Sequence, residues 1–212
     1  MIGDALAAEL GTALPSDHAH QTKADDYIGL WHAVAGPDVQ YKRVLDLGCG
    51  DGSTLDLFNK QPGAARWTGV DIERSPEVAS RTRSDGEFVS FDGVNLPFED
   101  RQFGLIYCRQ VLEHVEHPEP LVAEVARVLD SGGWFVGSTS LLEPFHSRST
   151  QNITPLGLKL MLQRNGLELT ELRPGIDGLT LSLRQLLGAP RLFNRWWLSE
   201  SPLNRLFDLV AK

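Results

Sequence analysis

Cysteine is scarce in this sequence: Cys49 and Cys108 are the two such residues among 212, and both stand in apolar surroundings outside any disulfide or metal-ligand spacing. A chain of this length with 42% hydrophobic residues can bury a core without such staples. Free thiols and a reducing, cytoplasmic setting are therefore expected. Positive charge is scarce too. The 20 Lys and Arg face 28 Asp and Glu, for a net charge of -8, which leaves no cationic footprint for nucleic acid, because phosphate binding needs clustered Lys and Arg. No apolar run reaches the roughly 18 residues of a membrane-spanning helix. The opening "MIGDALAAELGTAL" lacks a basic n-region and carries Asp4 and Glu9 in its apolar stretch, so it does not read as a secretory signal. Internal repeats and low-complexity blocks are absent. These gaps leave one soluble domain of enzyme size, with no nucleic-acid partner and no stable membrane insertion.

What is present is a rhythm. From about residue 42 to 174, short β-branched runs alternate with helical patterns, the signature of a parallel sheet with crossover helices. "KRVLDL" predicts the first strand, "RWTGVDI" the second, "EFVSFD" the third, "FGLIYCR" the fourth, "WFVGSTS" the fifth and "LELTELR" a sixth. A helix begins within Gly52–Asn59. Between strands four and five, Leu121, Val122, Val125, Val128 and Leu129 recur at helical spacing, with Pro118 and Pro120 setting the start and Gly132-Gly133 the stop. Residues 22–35 predict a further helix, carrying Tyr27, Ile28, Trp31 and Val34, that could close over the ligand edge of the sheet. "TPLGLKLMLQRNG", "LTLSLRQLLG" and "RLFNRWWLSESPLNRLFDLVAK" read as helices. The expected layout is an N-terminal helical cap over 1–41, a sheet domain over 42–178 and a C-terminal helical tail over 179–212.

Chemistry concentrates in "RVLDLGCGDGSTLDLF", residues 43–58. Glycine tolerates positive φ and lets another group approach the main chain, so Gly48, Gly50 and Gly52 at a strand-to-helix turn suit a ligand pressed against that turn. The helix start offers unpaired N–H groups and partial positive charge. A dinucleotide fingerprint asks for G-x-G-x-x-G, whereas here Ser53 takes the last position. Asp46 ends the first strand and could meet a cationic amine. Asp71 ends the second, 21 residues after Gly50, where a carboxylate can grip ribose hydroxyls. Asp92 ends the third and precedes Gly93. Amine, ribose and exocyclic adenine amine together describe S-adenosylmethionine. The plainer alternative is that the glycines make a tight turn and the acids cap helices.

"VLDLGCGDG", "GVDIE", "FDGVNLPFED", "FGLIYCRQVLEHVEHP" and "LVAEVARVLDSGGWFVGSTS" resemble, in order and spacing, the motifs of class I S-adenosylmethionine-dependent methyltransferases, in the small-molecule branch that holds ubiquinone-type and natural-product enzymes. The resemblance covers about residues 42–140. It implies a doubly wound α/β fold, with a mostly parallel Rossmann-like sheet and extra N- and C-terminal helices. It further implies that Asp46, Gly48 and Gly50 surround the methionine part of the cofactor, that Asp71 and Ile72 hold ribose and adenine, that Asp92 and Gly93 meet the adenine, and that Arg109 and Gln110 flank the cofactor, with S-adenosylhomocysteine as product.

Methyl transfer needs alignment first, and a base where the acceptor is a hydroxyl. His146 and His114 are the catalytic candidates, because both follow strands whose carboxyl ends meet the site; a histidine that merely orients its own turn is the alternative for His114. Ubiquinone-type relatives hold a divalent ion with E-x-x-E-H after strand four. Here Gln110 replaces the first acid, leaving Glu113 and His114, so no metal requirement is expected.

The acceptor is expected to be a small molecule, methylated most simply at oxygen, with Asp25, Asp26 and Tyr27 as outlying candidates for contact. Arg191, Arg195, Trp196, Trp197 and Phe207 interleave basic and aromatic groups that could meet a membrane surface or a lipid-like acceptor; the plainer expectation is packing on the same domain or on a second subunit, which would make a homodimer. The resemblance also calls for a closing antiparallel strand pair of which only the first member is evident, so the tail supplies a substitute or the natural chain continues. Two rivals stand beside methyl transfer: a non-catalytic module that binds S-adenosylmethionine or S-adenosylhomocysteine, and a nicotinamide oxidoreductase, which Ser53 and the lack of a Tyr-x-x-x-Lys pair disfavour.

Overall fold

The structure, a computed structural model, describes residues 4–15, 21–35, 43–61, 66–141, 143, 147–188, 190–198, 201, 202, 205, 206 and 209. Five strands run β1 Arg43–Leu47, β2 Arg66–Ile72, β3 Glu87–Phe91, β4 Phe103–Arg109 and β5 Leu129–Ser138. The helices are α1 Asp4–Leu10, α2 Ala24–Ala35, α3 Leu55–Asn59, α4 Pro76–Ala79, α5 Pro118–Val128, α6 Pro155–Arg164, α7 Gly178–Leu186 and α8 Arg195–Leu198. Two compact units share them: Ala24–Thr139 with Ser149–Gln151, and Met1–Lys23 with Ser140–Arg148 and Asn152–Lys212.

The first unit is the sheet. Its order is β3-β2-β1-β4-β5 and every pairing is parallel, the doubly wound arrangement in which the strand order reverses beside β1. The central strands read as continuous apolar runs because both their faces are covered: Val44, Leu45 and Leu47 of β1 and Phe103 to Cys108 of β4 are buried. On one face, Ala24, Ile28 and Trp31 of α2 join Val44, Phe58, Trp67, Tyr107 and Val136 in a single cluster. Edge-to-face rings tighten it, with Trp67 and Phe88 at 5.3 Å and Phe58 and Tyr107 at 6.0 Å between centroids. α5 buries Leu121, Val122, Val125 and Val128, the stripe its spacing predicts.

Two expectations need correction. The crossover helix stops at Val128 rather than at Gly132-Gly133, because Leu129 turns extended and pairs with Phe103; the pairing then skips to Leu105 and Trp134, and Gly132 at φ +75° absorbs the extra residues. "LELTELR" forms no strand: Leu167 donates to the Leu162 carbonyl and Leu172 to the Ala13 carbonyl at 2.8 Å, so its main chain joins no ladder. The free thiols are as expected.

The second unit is helical. Thr154 caps α6 by accepting from the Gly157 N–H at 3.1 Å, and Asp177 caps α7 by accepting from the Thr180 N–H at 2.7 Å. The Lys159 ammonium reaches the Glu9 carbonyl, joining α6 to α1. The Thr22 N–H donates to Pro174 at 3.0 Å. No helix among the described residues is long and apolar enough to cross a membrane.

Candidate cofactor site at the carboxyl edge of the sheet

β1 ends at Leu47 and the chain turns through Gly48, Gly50 and Gly52, whose φ values are +73°, +53° and +81°. A side chain would be strained at each. The turn is anchored from beneath: the N–H groups of Gly48 and Cys49 donate to the Val70 carbonyl at 2.8 and 3.2 Å. It is also closely covered. A Cβ on Gly48 would lie 2.3 Å from Val111 Cγ2, and one on Gly50 would lie 3.1 Å from Glu77 Cβ.

Asp71, at the end of β2, reaches this turn. Its Oδ2 accepts the Gly50 N–H at 2.7 Å and its Oδ1 accepts the Ile72 N–H at 2.7 Å. Burial raises its carboxyl above the ordinary range, while these two N–H groups pull it back. Each oxygen keeps a lone pair for a further donor. Beside it, Ile72 is 41% exposed and Gly93 lies at φ +92°. A Cβ on Gly93 would be 3.5 Å from Ile72 Cγ2, so an exposed apolar side chain and an open glycine adjoin a carboxylate with accepting capacity. That hydrogen-bond acceptor and apolar shelf fit the hydroxyls of a ribose and a planar base.

The other predicted residues divide. Asp46 is 2% exposed and accepts from the Thr54 hydroxyl. Burial pushes its carboxyl up to about 7, against the lowering effects of Thr54 and then of the Arg109 guanidinium; the Trp67 indole N–H acts in the same direction without completing a hydrogen bond of standard geometry. Cys49 next to it is pushed up to about 12, chiefly by burial, and is an unreactive thiol. Asp92 turns onto its own loop, accepting from the N–H groups of Val94 and Asn95 at 2.8 and 2.6 Å and from the Asn95 side-chain amide at 2.7 Å. Those bonds hold its carboxyl below the usual value.

Past β4, Gln110 adopts φ +56°, uncommon for a residue with a side chain. Its N–H donates to the Ser138 carbonyl at 2.8 Å and its amide to the Ser138 hydroxyl at 3.1 Å, which fastens the end of β4 to the end of β5. Arg109 lies 3.4 Å from Asp25 of α2, and Asp25 also accepts from the Tyr107 hydroxyl. Asp25 is thus a latch between α2 and β4. His114 is half-buried on the turn Leu112–His114, beside a fully buried Glu113 that accepts from the Thr139 hydroxyl at 3.1 Å. His146 lies outside the described residues. No group of three or more His, Cys, Asp or Glu suited to a metal ion occurs among the described residues.

Sequence reasoning missed two arginines. Arg81 grips the Gly50 carbonyl with Nε at 2.9 Å and Nη2 at 2.6 Å, and its guanidinium lies 4.1 Å from the Phe88 ring centroid. Arg83 donates to the Gly52 carbonyl at 2.9 Å and pairs with Asp56 at 2.9 Å and Asp85 at 2.7 Å. The pattern Arg-x-Arg after α4 is the one local signal, and it says nothing of partners 31 residues back. A cavity of about 710 Å³ is lined by Arg43, Glu87 and Gln102, which stand at the amino ends of β1 and β3 and just before β4, away from the glycine turn.

Residues 45–137 match a family described as Methyltransferase domain. Over 115 residues the chain is 31% identical to phthiotriol/phenolphthiotriol dimycocerosates methyltransferase 1 of Mycobacterium ulcerans, covering 52% of this chain and 42% of that protein. Over 113 residues it is 34% identical to fatty-acid O-methyltransferase of Mycolicibacterium smegmatis, covering 51% and 41%. The chain spans less than half the length of either relative. Among solved structures, the YcgJ protein of Bacillus subtilis shares the fold, with a TM-score of 0.53 at 23% identity over 67% of each chain.

Proposed function

We propose that this chain, whose residues 45–137 match a family described as Methyltransferase domain, uses S-adenosylmethionine, leaves S-adenosylhomocysteine and methylates an oxygen of a small, apolar acceptor. The observation that carries the reading is the Asp71 carboxylate, tied to the Gly50 N–H at 2.7 Å and flanked by exposed Ile72. When bound, the cofactor supplies an electrophilic methyl group on a sulfonium. Asp71 would take the ribose hydroxyls with its remaining lone pairs, Ile72 and Gly93 the adenine, and the turn through Gly48 and Gly50, packed against Val111 and Glu77 on its Cβ side, would meet the methionine part with its main chain. Asp46 lies behind that turn as a buried carboxyl, Asp92 shapes the loop around the adenine, and Arg109 and Gln110 border the site at the end of β4. Such positioning can supply about 7–11 kcal/mol of a two-reactant barrier.

His114 is the described candidate for accepting the acceptor's proton, a role worth about 10²–10⁴-fold; His146, outside the described residues, is the second candidate for that role. The apolar acceptor class is supported by the two relatives, one named for a fatty acid and the other for dimycocerosates.

Calorimetric titration with S-adenosylhomocysteine, with NADH as control, tests the cofactor; labelled methyl transfer to long-chain acids and phenols tests the acceptor. Binding of the former alone, with label found on oxygen, is expected. Absence of S-adenosylhomocysteine binding overturns the whole reading. Binding with no turnover on any acceptor favours the non-catalytic module.

A further inference from the structure

Helix α7 is apolar on two opposite sides. Thr180 and Leu181 face inward and are buried, while Leu179, Leu183 and Leu186 follow one another at helical spacing on the far side and are exposed, Leu186 at 81%. Leu187 extends the stripe at 62% exposure, and Leu192 follows it, also exposed. A solvent-facing helix normally turns charged or polar residues outward. A contiguous exposed row of leucines is the kind of surface that marks an interaction site.

Charge says what would cover it. Between Gly178 and Leu198 stand Arg184, Arg191 and Arg195 and no acidic residue, in a chain whose net charge is -8. Arg184 lies 3.6 Å from Glu143; Arg191 and Arg195 are exposed to solvent, and Arg195 lies 4.9 Å from the Trp196 ring centroid. Leucines beside exposed arginines and a tryptophan, in a stretch with no acid of its own from Gly178 to Leu198, match an interface that is apolar within and anionic at its surface.

We infer that α7 and the segment through Leu198 dock on an anionic lipid bilayer, with the leucine row entering the boundary of the acyl chains and Arg191 and Arg195 meeting the headgroups. The inference is independent of methyl transfer. Co-sedimentation of the full chain with vesicles of phosphatidylcholine plus phosphatidylglycerol, against phosphatidylcholine alone, tests it. Binding to the anionic vesicles is expected, and 0.5 M salt, which screens charges at the surface, should weaken it. Because Leu186 and Leu187 are exposed, L186E/L187E leaves the core intact and should lower partitioning about tenfold or more; R191Q should lower it about fivefold.

Failure to sediment with anionic vesicles overturns the inference, as does binding that L186E/L187E leaves unchanged. Sedimentation velocity covers the other occupant: a dimer that L186E/L187E dissociates, without vesicle binding, assigns the leucine row to a second copy of this chain and rejects the bilayer.

Discussion

The Asp71 carboxylate accepts the Gly50 N–H at 2.7 Å, joining the end of β2 to the turn that follows β1. The bond sets the glycine turn against the strand end and aims a charged acceptor along the carboxyl edge. Its consequences can be measured. Asp71→Ala should weaken S-adenosylhomocysteine binding by about 1–3 kcal/mol, the cost of leaving polar partners unpaired, and Asp71→Asn should lose less because its amide oxygen still accepts. Calorimetry that finds the two variants equal to the parent would remove Asp71 from the cofactor site.

Arg81 holds the other side of the same turn through the Gly50 carbonyl. Arg81→Ala removes a two-pronged, charge-assisted contact and a ring contact, for a loss of about 1–3 kcal/mol in stability. Arg81→Lys keeps the charge but not the planar fork and should recover only part of it. Urea titration of the three proteins gives the order; a lysine variant as weak as the alanine one would show that the fork, not the charge, is what matters.

Gly48 should not tolerate a methyl group. At φ +73°, with Val111 Cγ2 2.3 Å from the place a Cβ would take, Gly48→Ala should cost about 2–4 kcal/mol from left-handed strain and overpacking together. Adding Val111→Ala should relieve the overpacking but not the strain, so the two changes should be non-additive by about 1–3 kcal/mol. Simple additivity in a double-mutant cycle would mean that the backbone moves away from Val111.

Asp46 makes stability depend on pH. Its folded value of about 7 lies above the ordinary 3.8, so between those limits the folded chain holds a proton that the unfolded chain has released. Stability is therefore greatest below about 4 as far as this group is concerned, and it falls as pH rises through about 7. Asp46→Asn, which cannot ionise and still accepts from Thr54, should gain on the parent across that window by an amount on the order of a few kcal/mol and then level off. Urea midpoints at pH 5, 6, 7 and 8 test it; a gap that does not change with pH would put Asp46 in the ordinary carboxylate range.

Much of the frame was legible locally. β2 and β4 occupy the residues that "RWTGVDI" and "FGLIYCR" mark, because a parallel strand covered on both faces reads as a short, largely apolar run. The glycines announce their turn because positive φ is costly for other residues. The error at Gly132-Gly133 has the same origin: glycine reads as a helix stop, yet the buried side chain of Leu129 had already committed the chain to β5. Asp92 had the right position and a nearer use, since an aspartate followed by free N–H groups bonds its own loop.

By itself the sequence determined the alternation of strands and helices, the glycine turn and the placing of acids at three strand ends, because periodicity and turn chemistry act over a few residues. Only the tertiary structure decided what those groups meet: Arg81 on the Gly50 carbonyl, Val111 over Gly48, Asp25 between Tyr107 and Arg109, and a leucine row left uncovered on α7. Such partners lie 31 to 84 residues apart. Local pattern carries no information at that range, whereas sheet order and core packing, which bring distant segments within hydrogen-bonding distance, choose each contact.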